Sequence, residues 1–182
     1  MRRRAPRVLR SGWIAGLEPA GFKTRPDPPA AMALADAVSA TIHVAFAGLW
    51  TGTVLFVVLA VLPLARNGTL NATPLASITG RLKTVSRLSA VLLFLTGGHL
   101  AGSLYTVERL TGTTRGYAVL AMIVLWLALA ALVEIGAGKL TDGTEADKVR
   151  TPAAEATPYL QAAALVAVLL LLDAGALAGG LV

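Results

Sequence analysis

Two imidazoles in the apolar parts of this chain have the type and placement to do metal or proton chemistry. His43 lies in "TIHVAFAGLW", and no charged residue follows Asp36 until Arg66. His99 lies in "LLFLTGGHLAG", and the chain holds no third histidine and no cysteine. Thiolate zinc sites, iron–sulfur clusters, disulfides and cysteine nucleophiles are therefore excluded. An ionisable group inside an apolar membrane segment usually faces the bundle interior and a partner. Asp173 is the one carboxylate in the C-terminal apolar run, and Met122 offers a thioether in the third. Trp50 stands seven residues after His43, on the same helical face.

Three chemistries suit such a set. Two neutral imidazoles from facing helices can ligate haem iron, in the manner of haem b. They can bind copper, with Met122 favouring the cuprous state. A His–Asp pair can relay protons, and Asp173 could also fix a histidine tautomer by accepting its N–H. Against these stands the reading that each histidine is only hydrogen-bonded to a neighbouring helix. The residues support no catalytic set. His43, His99, and Met122, Asp173 and Trp50 in support, are thus candidates for metal or haem binding.

The elements that must position them are four apolar segments. Of the 182 residues, 55% are hydrophobic and 14% charged, whereas a soluble domain carries about a quarter charged residues. The segments run from about 36–65, 88–106, 116–137 and 159–182, each near the roughly twenty residues that cross a bilayer. Backbone groups must be satisfied internally in lipid, and the segments show no dyad alternation. The expected fold is therefore all-α, an integral membrane four-helix antiparallel bundle spanning 32–182 in the cell membrane, with the lipid bilayer as its partner. Tyr105, Tyr117 and Tyr159 mark segment ends. Gly48/Gly52 and Gly98/Gly102 are small-xxx-small pairs that let helices approach, and Gly175, Gly179 and Gly180 could do the same on the last helix.

Residues 1–31 form an Arg- and Pro-rich leader, read as disordered, with seven Lys/Arg against two acidic side chains. The remainder has nine basic and eight acidic side chains, so the net charge of +6 is no argument for nucleic acid. Counted from Met32, seven basic residues flank one side of the segments and two, Arg109 and Arg115, the other. The positive-inside rule then predicts both termini outside. Including the leader reverses the bias, nine to seven, so this topology goes with a start at Met32. The sequons at Asn67 and Asn71 fall in the loop placed inside.

Antiparallel pairing sets His43 and His99 at one depth. Each lies about seven residues from the same end of its segment, roughly 10 Å below one surface.

"IHVAFAGLWTGTVLFVVLAVLPLA" resembles the opening helix of the copper resistance protein D (CopD) family in His43, Trp50, Gly52 and Pro63. "RLKTVSRLSAVLLFLTGG" is similar to that family's next segment, ending on the Thr96–Gly97 pair. The resemblance covers about residues 40–137. It implies a four-helix membrane domain associated with copper handling. HemJ-type protoporphyrinogen oxidases look like distant relatives and bind haem through a first-helix histidine. "LPLARNG" departs here from that group's Arg-rich continuation. An accessory membrane subunit with no ligand is the remaining expectation.

Overall fold

The computed structural model describes residues 30–181, so the leader expectation falls almost wholly outside the described residues. The chain is helical nearly throughout, with no strand among the described residues. Helix α1 covers Ala30–Phe56 and continues through a π-helical turn, Val57–Val61, into α2, Leu62–Arg66. Then follow α3, Ala72–Leu104, the short α4, Val107–Gly112, α5, Thr114–Glu145, and α6, Arg150–Ala178. Four stretches are long and apolar enough to cross a membrane: Met32–Arg66, Ala72–Leu104, Thr114–Glu145 and Arg150–Ala178. Each long helix packs on the next, and α6 closes the ring on α1.

Pro63 explains the π-helical turn. Proline has no N–H to give back to the preceding turn and its ring crowds that turn. The chain widens just before it, so the Leu62 N–H reaches the Val57 carbonyl, five residues back. The helix therefore continues through the proline and ends only at Asn67, where Gly68 takes φ +74°. That left-handed turn is open to glycine at little steric cost.

The helices run well past the apolar limits on one side of the bundle. α3 begins at Ala72 instead of near residue 88, α5 ends at Glu145 instead of near 137, and α6 begins at Arg150 instead of near 159. These extensions add roughly 12–24 Å of helix at 1.5 Å per residue. What hydropathy reads as loop is amphipathic helix. Ala72, Leu75, Thr79, Leu82 and Ser86 are buried at i, i+3/i+4 spacing, while Arg81 and Thr84 face out. Leu140, Gly143, Pro152, Ala153 and Ala156 complete this extension. The connections that remain are short, residues 67–71 and 146–149 on that side.

The core differs along the ring. Between α5 and α6 it is built from small residues: Gly136, Ala137, Ala153, Ala156, Ala163, Ala164 and Ala167 are all buried. A Cβ on Gly136 would stand 2.6 Å from Leu160 Cγ, so only glycine admits that side chain. By contrast, Gly48, Gly52, Gly98 and Gly102 have nothing within 4 Å of a built Cβ. The small-xxx-small pairs expected to bring helices together are not where this bundle packs; the close approach uses α5 and α6.

At the basic end of the apolar zone, Arg87 of α3 grips Glu134 of α5. Nε donates to Oε1 at 2.8 Å and Nη2 to Oε2 at 2.9 Å. Trp126 Nε1 donates to the Ala90 carbonyl at 3.2 Å, and its ring stacks on Phe94 with centroids 5.7 Å apart. The register of α3 against α5 is thereby fixed by polar groups whose partners are costly to lose near lipid.

Candidate functional site: the histidine seam between α1 and α3

His43 lies half-buried on the face of α1 that packs against α3. Its Nδ1 is 2.9 Å from Thr96 Oγ1. The same hydroxyl donates to the Leu92 carbonyl at 2.7 Å, the backbone bond of a helical threonine. A hydroxyl has one hydrogen, and with that hydrogen assigned to the Leu92 carbonyl Thr96 accepts from the ring. His43 therefore carries its proton on Nδ1, and the Nε2 lone pair is left for other use. This is the device by which proteins fix the tautomer of a ligand histidine.

Gly97 is needed beside it. A Cβ at that position would stand 3.0 Å from His43 Cε1 and 3.5 Å from Nδ1. The imidazole lies directly on the α3 backbone, with one α3 residue accepting its hydrogen bond and the next making room for its carbon edge.

His99 sits one turn further along α3. It is held by a different partner: Nε2 lies 2.9 Å from Asp36 Oδ1 of α1. The side chains are 44% and 29% exposed, so this pair stands at the open end of the seam. Thr96 and His99 are three residues apart, about 4.5 Å along the axis, so both histidines belong to one end of one helix interface. Asp36 marked only the edge of the first apolar segment in the sequence. Its spacing of seven from His43, which puts both on one face, was the signal that could have found it.

The remaining candidates stand elsewhere. Trp50 is 1% exposed on the same face of α1, two turns deeper than His43, and its Nε1 has no hydrogen-bond partner. Met122 is half-buried on α5, which packs chiefly on α3, α4 and α6. Asp173 is half-buried on α6 with Oδ2 buried and without a hydrogen-bond partner, and the carboxylate beside His99 is Asp36. Among the described residues no group of three or more His, Asp or Glu side chains is placed to hold a metal ion. The arrangement offers one oriented imidazole nitrogen and, a turn away, an imidazole–carboxylate pair.

Fold and seam together define a multi-pass, all-α membrane bundle with a polar histidine interface near one end of its first two long helices. No family model, no curated protein and no solved structure matches the chain.

Proposed function

We propose that this chain handles a metal ion, copper in the first place, at the α1–α3 seam of a cell-membrane bundle. The observation that carries the reading is the fixed tautomer of His43, which leaves Nε2 as an oriented neutral donor inside a membrane helix pair. Imidazole suits copper. His99 is the second donor, reached once it turns from Asp36. The likeness of the His43, Trp50, Pro63 and Thr96–Gly97 positions to the CopD family points the same way. Haem suits the seam less well. The His43 ring already rests on the α3 backbone and His99 on Asp36, so a macrocycle would have to break both of these contacts. Given a start at Met32, the Lys/Arg distribution favours this end of the bundle, with both termini, on the outer side; residues 1–31, if present, reverse that bias.

A second reading has its own support. Both rings are already hydrogen-bonded within the protein, which is all that a ligand-free structural seam needs. An absorption spectrum and metal analysis of the purified protein separate the cases. Stoichiometric copper that disappears in His43→Ala carries the proposal. A Soret band selects haem. Neither signal, with copper still absent after loading of the detergent-solubilised protein, leaves the structural seam.

A further inference from the structure

Two turns below His43, the same seam carries two buried donors with nothing to donate to. The His43–Thr96 contact fixes the antiparallel register of α1 on α3. Moving seven residues down α1 and seven back along α3 keeps both faces and brings Trp50 level with Ser89. Trp50 is 1% exposed and Ser89 is fully buried. Neither Trp50 Nε1 nor Ser89 Oγ has a hydrogen-bond partner.

A helical serine or threonine normally settles this by bonding the carbonyl four residues back. Thr84 and Thr96 of the same helix do so, whereas Ser89 and, farther along the helix, Thr79 do not. Two unpaired donors at one level of one interface are therefore not explained by helix geometry. Buried as both side chains are, each orphaned donor costs on the order of a lost hydrogen bond. The backbone carbonyls nearby accept within their helices and keep a second lone pair, which neither of these donors reaches. What the site lacks is an acceptor small enough to lie between closely packed helices.

We propose that Trp50 and Ser89 bind an internal water molecule, held as acceptor by the indole N–H and the serine hydroxyl. Water fits the chemistry because it accepts from both donors and keeps its own hydrogens for carbonyl oxygens of the two helices. The site extends the polar seam from Asp36–His99 through His43–Thr96 to the level of Trp50, about 20 Å along α1 at 1.5 Å per residue. It is independent of whether His43 binds a metal.

Radiolytic footprinting tests it. Millisecond X-ray pulses make hydroxyl radicals from bound water inside a protein, whereas radicals generated chemically in the bulk reach only exposed side chains. In the full-length protein in micelles, Trp50 is expected to be oxidised by X-rays and spared by bulk radicals, while the exposed Tyr117 reacts with both. Ser89→Ala removes one donor and should lower X-ray labelling of Trp50 about fivefold, the occupancy ratio of one hydrogen bond. Circular dichroism and elution volume check that the variant is folded. Trp50 untouched by X-rays in the wild type overturns the site, and so does equal labelling by bulk radicals, which would mean open solvent. Unchanged labelling in folded Ser89→Ala removes Ser89 from the site and overturns the assignment.

Discussion

Gly97→Ala tests the seating of His43 on α3 without touching the imidazole. The new Cβ would stand 3.0 Å from Cε1, against about 3.5–4.0 Å for an unstrained carbon pair. The ring must therefore retreat by roughly 0.5–1 Å. A retreat of that size stretches the 2.9 Å bond from Nδ1 to Thr96 Oγ1 to its limit. The cost is about 0.5–1.5 kcal/mol for the hydrogen bond, plus overpacking at the low end of about 1–3 kcal/mol. Against this runs a helix-propensity gain near 1 kcal/mol for any glycine replaced by alanine. Gly98→Ala supplies the correction, because its Cβ meets nothing within 4 Å and so collects only the gain. The two variants should differ by about 1–3 kcal/mol, Gly97→Ala being the less stable. Reversible SDS unfolding in mixed micelles, followed by circular dichroism, measures the difference. Repeating the pair in a His43→Ala background should abolish it. If Gly97→Ala and Gly98→Ala are equally stable with His43 present, the ring does not rest on Gly97 and the tautomer argument fails with it.

Thr96→Val keeps the shape of the threonine but removes the acceptor for Nδ1–H; under the copper proposal, affinity read by competition with a chelator should fall about ten- to hundredfold, and Thr96→Ser should retain it. Gly136→Ala drives a Cβ to 2.6 Å from Leu160 Cγ, so it should destabilise by about 1–3 kcal/mol, and Leu160→Ala in the same chain should recover part of the overpacking loss. Swapping the ion pair tests its role in register: Arg87→Glu and Glu134→Arg should each lower stability in SDS titration, and the double exchange should recover most of the loss. In the connection between α3 and α5, the Glu108 carboxyl is held below the usual carboxylate range, first by its own backbone N–H and then by the Thr106 hydroxyl. A depressed folded value means the stabilisation is present above the unfolded value and is lost as pH falls through the folded one. Amide exchange over residues 107–112, corrected for intrinsic rates, should therefore lose protection in that acid window, and Glu108→Gln should flatten the dependence.

The existence of four spanning helices was legible because hydrocarbon leaves so few options. A run of uncharged and mostly apolar residues such as 116–133 must satisfy its backbone internally, and helix is the one local way to do so. Helix ends were not legible from the same signal. The stretch 72–87 carries Arg81, Lys83 and Arg87, which lowers any hydropathy average, yet its apolar residues recur at helical spacing and bury on the bundle. Charge content reports the surroundings of a helix, whereas periodicity reports the helix itself. The glycines misled for a related reason. Gly48, Gly52 and Gly136 are alike as letters, and what separates them is whether a side chain such as Leu160 arrives opposite, which is a matter of register between helices.

Register also governs what could be read of the histidine seam. Depth counting along two antiparallel segments put His43 and His99 near one end of the bundle, because a rise of 1.5 Å per residue is independent of partners. Partner choice is not. Asp173 and Asp36 are both carboxylates near that end, and only the pairing of α1 with α3 puts Asp36 within 2.9 Å of His99. The seam then divides its polar groups by exposure. Asp36 and His99 take the open end, where water lowers the cost of charge. His43 and Thr96 lie deeper, where a neutral imidazole with one defined proton is the less costly state. Trp50 and Ser89 lie deepest, with donors alone. The α1–α3 interface thus orders its polar groups by depth, from an exposed imidazole–carboxylate pair to buried donors, and the α5–α6 contact is built from packed alanines. The proposed site therefore lies between α1 and α3, and α6 packs on both α5 and α1.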